Sequence, residues 1–494
     1  MLLGIDVGTT AVKALVIDEG GRVLGEAGRE YVLSTPREGW VQQDAELWWE
    51  NLVIVVREAL AGLDASGVKG VALSTQGDTM CPVDADGKPL APARTWMDTR
   101  TGPQIERLTR KFSLQDWYQI TGSRLGTFAA ALSLAWWQDE MPDAFRAASR
   151  FCLVEDFIIG RLCGEHVVAA SNASRTMLYD IRSRAWSPKL LEVVGIEESR
   201  LPKAAESGAK VGALTPAAAE TLGLSTDVAV VLGGHDQVVG AVGSGVIRPG
   251  SLMLASGTAW VILAAIDAPL HDDLLRLQTY CHAAHDLWAI IGAYAGGVLL
   301  RWYRDEFMPG QSYDTIVAEA AEAERSSLAD HSGRSPLTFL PHFYGAVTPG
   351  WDEKAKGSLL GLTLAHTRGD VAFALLRGVA LETAWNVQAM KEMGAATEEI
   401  RMIGGGAKSP FWAQAVADAT GATVILPQAT EAAACGAGLL AGIGAGVYSS
   451  LAEASSCVRL GQAFEPHPDR PGLDAEALER HVAAFRALQP VWQL

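Results

Sequence analysis

Gly4-Ile5-Asp6-Val7-Gly8-Thr9-Thr10-Ala11-Val12-Lys13, close to the start of a 494-residue chain, decides how the remainder is read. A short apolar run from Leu2 delivers Asp6 to the end of a strand. Gly8 then permits a tight turn in which backbone N–H groups and the Thr9 and Thr10 hydroxyls can face an anion. Lys13 follows on the returning strand. A carboxylate at Asp6 can hold Mg²⁺, commonly through water, because Mg²⁺ dehydrates reluctantly. The stretch matches neither GxxxxGK[ST] nor GxGxxG, so it is not a Walker A loop or a dinucleotide fingerprint. The plainer alternative is a hairpin with polar turn residues.

Outward from this turn, Asp18-Glu19-Gly20-Gly21 reads as a hairpin turn and Arg22 to Tyr31 as a returning strand. From Asp44, a candidate N-cap, the period becomes helical: Trp48, Leu52, Val55, Val56, Ala59 and Leu63 share one face. Gly70 to Ser74 is again strand-like. The vocabulary returns in the second half. Ser251 to Ser256 is a strand ending in Gly257-Thr258, with strands at Thr258 to Ala265 and Leu287 to Ile291 and a helix carrying Trp302 and Tyr303. Ile400 to Ile403, Ser409 to Thr420, Thr423 to Leu426 and Thr430 to Ala441 then alternate strand and helix. The fold expected is α/β with two related lobes. The boundary is placed in the Gly/Pro-punctuated stretch Gly245 to Gly250, suited to a hinge, giving lobes 1–246 and 247–494.

Composition supports a globular chain: 49% of residues are hydrophobic and 20% charged. A net charge of −17 disfavours non-specific binding to nucleic acid or an anionic membrane. The N-terminus has no positive n-region or long apolar run, so no signal peptide is expected. The uncharged window between Glu431 and Glu453 is rich in Ala and Gly, and is read as a buried small-residue helix followed by a turn. The six cysteines show no CxxC pair and no Cys/His ligand spacing, which suits reduced thiols in a cytoplasmic protein.

Four further clusters carry chemistry. Leu254-Ala255-Ser256-Gly257-Thr258 repeats the strand-then-Gly-Thr turn, and two such turns in separate lobes could grip one polyphosphate. Gly404-Gly405-Gly406-Ala407-Lys408-Ser409 ends a strand with three glycines, on whose backbone another molecule can lie, before a helix N-terminus. Gly233-Gly234-His235-Asp236-Gln237 follows an apolar strand. There Asp236 can be a helix N-cap, a general base placed where glycines admit substrate, or both at once. Gln76-Gly77-Asp78 and Trp96-Met97-Asp98 offer carboxylates beside an amide and an aromatic, a set suited to polyol recognition. An ionised Asp78 would accept from two adjacent hydroxyls but could not donate.

With these residues in place, the chain resembles the FGGY family of carbohydrate kinases over nearly its full length. The resemblance runs from GIDVGTTAVK through WVQQDAELWW, GGHDQ and LASGT to GGGAKSPFWAQAVADATG and the segment from Glu431 to Ala441. It implies two ribonuclease-H-like lobes of the actin/hexokinase ATPase type around a deep cleft, ATP with Mg²⁺, a small carbohydrate substrate and a possible homodimer. By motif match Asp236 is the catalytic base and Asp6 the metal residue. Gly8, Thr9, Thr10, Lys13, Gly257, Thr258, Gly405, Gly406 and Ser409 are matched to the nucleotide. Gln76, Gly77, Asp78, Trp96, Asp98, His235 and Gln237 are matched to the sugar. Within the family the blocks around Trp96, Arg175 and Trp186 are most similar to the xylulokinases. Gly77-Asp78, however, stands where those carry Met-His, and Ser133 where a lysine is expected. The functions left open are a kinase for D-xylulose, a kinase for another ketose or polyol such as ribulose, a tetritol or glycerol, and an ATP-regulated binding protein of the same fold.

Overall fold

Leu2–Val7 (β1) is buried at every residue except the half-buried Asp6, the pattern of a strand covered on both faces. The computed structural model describes residues 1–329, 337–429, 431–467, 473 and 475–494, with the backbone alone at 327–329. β1 pairs antiparallel with Ala11–Ile17 (β2), which pairs antiparallel with Val23–Glu30 (β3). On its other side β1 runs parallel to Gly70–Thr75 (β4). Lys210–Ala213 (β5) and Ala229–His235 (β6) complete a six-stranded sheet in the order β5-β6-β4-β1-β2-β3, with β6 parallel to β4.

Gly250–Ser256 (β7) starts the same plan again. It pairs antiparallel with Ala259–Ile266 (β8), with Gln278–Cys281 (β9) and Trp288–Ala295 (β10) beyond. Thr397–Ile403 (β11) and Thr423–Pro427 (β12) run parallel on the other side, and Leu460–Phe464 (β13) closes the edge antiparallel. The order β9-β10-β8-β7-β11-β12-β13 repeats the first sheet strand for strand, apart from the extra edge strand β9. The two related α/β lobes expected from sequence are present, in the plan of actin- and hexokinase-type ATPases.

Helix Glu46–Ala59 (α1) buries Trp48, Leu52, Val55, Val56 and Ala59, the face its period predicts. It ends before Leu63. Its N-cap position is Ala45 rather than Asp44, although the Asp44 carboxylate takes the Glu46 amide at 3.0 Å. The other helices that shape the site are Asp236–Gly243 (α2), Gly297–Phe307 (α3), Pro410–Thr420 (α4) and Ala432–Gly444 (α5). Thr430, expected to open the last of these, lies outside the described residues. Between β4 and β6 the chain adds strands to a small four-stranded sheet, built from Gln42–Gln43, Ala93–Arg94, Met80–Val83 and Arg150–Leu153. It also adds helices that include Val154–Cys163 and Ala170–Arg175.

The lobes are joined through α2 and α5, and glycines set how closely. A Cβ on Gly243 would fall 1.9 Å from the Ala432 carbonyl oxygen, and one on Gly436 2.0 Å from that of Val239. Helix α5 also rests on the first sheet, where a Cβ on Gly4 would fall 1.9 Å from the Ala434 carbonyl oxygen. Leu2, Ile17 and Val231 of the first lobe therefore share one core with Met253, Leu263 and Leu440 of the second. The small-residue window is a buried helix because anything larger would hold these backbones apart. Among the described residues no helix is long and apolar enough to cross a membrane.

Candidate active site

β1, β4 and β6 run in parallel and finish side by side, with Asp6 level with Ser74 and Thr75 level with His235. The carboxyl ends of parallel strands are where open α/β sheets hold ligands. Two glycines shape the end of β6. A Cβ on Gly233 would fall 1.7 Å from the Leu73 carbonyl oxygen, and Gly234 has φ 147°. They carry the chain round so that Asp236 becomes the first residue of α2.

Asp236 is not the cap of that helix: the N-cap position is His235, and no side chain caps it. The Asp236 side chain is 30% exposed, and its Oδ1 lies 3.2 Å from His235 Nε2. Burial pushes the Asp236 carboxyl up to about 7 and the nearby charge of Asp6 adds to it, while hydrogen bonds from Gln237 and the charge of Arg175 pull the other way. A carboxylate titrating near neutrality is matched to general-base work. The His235 imidazole is held well below its usual value by burial and by Arg175, so it is neutral.

Asp6 accepts from Ser74 Oγ at 2.7 Å. Burial raises its carboxyl to about 6; Ser74 and Lys13 oppose this and Glu431 adds to it. Lys13, matched by motif to the nucleotide, is paired with Glu431 Oε2 at 2.7 Å. Asp6 thus feels the charge of Glu431, and its own charge makes the Asp236 carboxyl harder to ionise, a set of mutually repelling carboxylates that a divalent cation would relieve. This donor set fits Mg²⁺, which is commonly held by one or two carboxylates together with substrate phosphates.

The first turn is tightly braced. Gly8 N donates to Ala11 O at 2.9 Å, and Gly8 O accepts from Tyr31 Oη and from Gln76 Nε2. Gln43 Nε2 donates to Thr9 O at 2.6 Å, and Trp96 Nε1 donates to Thr9 Oγ1 at 2.8 Å. Trp48 Nε1 and Gln76 Nε2 both donate to Gln43 Oε1. Gln76 is therefore buried beneath the loop rather than facing a sugar. Asp98 is likewise enclosed: its carboxylate takes the Val41 amide at 2.7 Å and the Arg100 guanidinium at 2.6 Å, leaving no open face. Sequence reasoning missed Gln43 and Tyr31; the Val41-Gln42-Gln43 stretch was the available signal for the first.

In the second lobe Gly257 and Thr258 form the exposed turn between β7 and β8, fixed to the start of α3 by Gly297 N to Gly257 O at 3.1 Å and Val298 N to Thr258 O at 3.0 Å. The three-glycine turn folds against it. Gly404 has φ 87°, and a Cβ on Gly406 would fall 2.8 Å from Ser256 Cβ. Ser409 is the N-cap of α4, its Oγ taking the Trp412 amide at 3.3 Å. Its Oγ accepts from the helix and its O–H remains free to donate.

Asp78 also differs from the free carboxylate expected. Arg175, from helix Ala170–Arg175, holds its Oδ2 through Nη2 at 2.5 Å and Nε at 3.1 Å. The guanidinium lies over Tyr280, 4.2 Å from the ring centroid, and donates to Gln278 Oε1 at 3.3 Å. Gly77 makes room, since a Cβ there would fall 2.7 Å from His235 Cδ2. The sequence marks Arg175 only as part of a xylulokinase-like block, with no ligand matched to it, yet it is the residue that holds Asp78. Ser133, standing where a lysine is expected, accepts from the buried Arg94 at 2.6 Å. Asp78 Oδ1, His235 Nδ1 and Gln237 Oε1 are buried with no protein partner.

Comparison with known proteins agrees with this geometry. The family model described as the FGGY family of carbohydrate kinases, N-terminal domain, matches residues 1–243, and the corresponding C-terminal domain matches 252–445. A xylulose kinase of Bacillus subtilis (strain 168) is 30% identical over 469 residues, covering 94% of this chain and 92% of the relative. A glycerol kinase of Bordetella parapertussis is 33% identical over 483 residues, covering 94% and 92%. The crystal structure of xylulose kinase from Rhodospirillum rubrum superposes with a TM-score of 0.92 at 27% identity, covering 100% of both chains.

Proposed function

Because the chain belongs to the FGGY family of carbohydrate kinases, a family of phosphotransferases, we propose that it moves the γ-phosphoryl group of ATP to D-xylulose, giving D-xylulose 5-phosphate. The observation that carries the acceptor is the group of buried, unpartnered polar atoms around Asp236: Asp78 Oδ1, His235 Nδ1 and Gln237 Oε1. Buried polar atoms are normally satisfied, and a polyhydroxylated ligand would satisfy these. An ATP-regulated binding protein without an acceptor would leave them unexplained.

In the reaction, Asp236 accepts the proton of the sugar hydroxyl as its oxygen bonds to the γ-phosphorus and the bond from phosphorus to the β,γ-bridging oxygen breaks, releasing ADP. The Gly8–Thr10 and Gly257–Thr258 turns flank the polyphosphate, and Gly405-Gly406 lies against the nucleotide. Mg²⁺, held near Asp6, would neutralise phosphate charge. We assign residues 1–246 to the sugar side and 247–494 to the nucleotide side. The six free cysteines accord with a reducing, cytoplasmic setting.

The Arg175–Asp78 pair favours a ketose over a simple polyol. A lone carboxylate could only accept, whereas the pair adds guanidinium N–H donors for a carbonyl oxygen, with Asp78 Oδ1 and His235 Nδ1 as acceptors for hydroxyls. The glycerol kinase relative is the reason to test polyols. ADP release measured with D-xylulose, D-ribulose, erythritol, glycerol or no acceptor decides the matter. Xylulose-dependent release supports the proposal, and release that no acceptor stimulates would overturn it.

A further inference from the structure

We propose that Cys152, Asp156 and His166 form a zinc site in the N-terminal lobe, separate from the kinase centre. Cys152 lies on strand Arg150–Leu153, Asp156 in the first turn of helix Val154–Cys163, and His166 just beyond that helix. One ligand atom from each lies within 4.8 Å of the other two. No Cys/His spacing was visible in the sequence because the third ligand is a carboxylate and the helix, not a short loop, brings the histidine back.

Two observations separate this cluster from ordinary core packing. The Asp156 side chain is 1% exposed; its Oδ1 takes the Leu153 amide at 2.7 Å, but Oδ2 has no partner, and neither has His166 Nδ1. The imidazole is seated by a glycine, since a Cβ on Gly160 would fall 2.9 Å from His166 Cε1 and 3.3 Å from Nδ1. Gly160 follows Asp156 by four residues, so both share one helix face. The glycine admits the ring above the carboxylate.

Thiolate, imidazole and carboxylate are zinc ligands, and three of them leave a fourth position open. The thiolate argues against Mg²⁺ or Ca²⁺, which prefer oxygen. Cys152, His166 and Gly160 line a cavity of about 560 Å³ that provides an entry path, and none of the active-site residues lines it. Arg150 lines it too, with Nε unpartnered and able to hold a water or anion at the open position. Arg161, also in the wall, is neutralised by Glu46 at 2.6 Å.

The test uses the full chain freed of metal by chelator and dialysis, then titrated with zinc against a chromophoric chelator. One equivalent of tight binding is expected. Cys152→Ser and His166→Ala should each weaken it at least about tenfold, a loss that even outer-shell partners can cause. Gly160→Ala, which removes no ligand, should weaken it by displacing the ring. Retained kinase turnover shows that each variant is folded. Cobalt in place of zinc should give thiolate-to-metal charge-transfer absorption in the parent and none in Cys152→Ser. No stoichiometric binding by the parent, equal affinity in all three variants, or cobalt binding without the thiolate band would overturn the proposal.

Discussion

Replacing Asp236 by Asn is expected to abolish turnover and, above pH 7, to stabilise the protein. Both effects share one cause. The carboxyl is pushed from 3.8 up to about 7, first by burial and next by the charge of Asp6. A group raised in this way contributes its full stability below pH 3.8 and loses it as the pH climbs through about 7. At pH 8 the ionised side chain opposes folding, and Asn removes that opposition. The rise, about 7 less 3.8 or roughly 3, sets a ceiling near 4 kcal/mol at about 1.4 kcal/mol per pH unit. The side chain is 30% exposed, so solvent screening leaves about 1–2 kcal/mol of it. Against that, Asp236 is the first residue of α2, and losing its charge there costs about 0.3–1 kcal/mol of helix-dipole interaction. Roughly 1 kcal/mol of net stabilisation is expected at pH 8, shrinking toward pH 5 and gone below the unfolded value. Thermal unfolding of parent and variant at pH 5, 6.5 and 8 measures this, with ADP release alongside; the rate should fall about 10²–10⁴-fold. An Asn variant that is less stable at pH 8, or whose offset is the same at every pH, would refute the strained-carboxylate assignment. Near-normal turnover would refute the general-base assignment.

Asp6→Asn removes the like charge beside Asp236, so the acid limb of kcat/KM should move down by about one pH unit. A limb that stays in place or moves up would contradict that coupling. Its Mg²⁺ requirement should also rise, and an unchanged requirement would make Asp6 purely structural. Arg175→Met leaves Asp78 buried without its partner; sugar kcat/KM should drop about 100-fold or more while the nucleotide KM changes little. Equal losses for both substrates would place the pair outside the sugar pocket. Gly436→Val should cost about 3 kcal/mol or more, because its Cβ would fall 2.0 Å from the Val239 carbonyl oxygen. Gly102→Ala, with nothing within 4 Å, is the neutral control, and matching melting points for the two would contradict the close helix contact.

The lobes were legible because the Gly-Thr turns at 8–10 and 257–258 follow short apolar strands, and because α1 keeps a clean helical period. Element bounds shifted by a few residues: β10 runs on through Gly292 to Ala295, and β11 begins at Thr397, three residues before its apolar run. Individual side-chain roles were less legible, for a physical reason. Asp78, Asp98 and Gln76 all have the right chemistry for ligands, yet what they do depends on partners distant in sequence. Arg175 lies 97 residues from Asp78 and takes one of its carboxylate oxygens. Gln43 lies 33 residues from Gln76 and draws it under the first loop. Asp98 is taken up by Val41, 57 residues away, and by Arg100 two residues on. Asp236 was ambiguous for a different reason, since cap and base are both common roles for Asp at a strand-to-helix junction. The backbone geometry at His235 excludes the cap.

The most direct measurement of the central claim is a competition in one tube. Equal concentrations of D-xylulose, D-ribulose, erythritol and glycerol are given limiting ATP and Mg²⁺, and the phosphorylated products are quantified by mass spectrometry. Because competing substrates partition in proportion to their kcat/KM values, the product ratio reads specificity without separate kinetics. D-xylulose 5-phosphate is expected to dominate, and to disappear when the Asp236→Asn enzyme replaces the parent. Dominance of glycerol or erythritol phosphate, or the same products at the same rate from the Asn variant, would contradict the account.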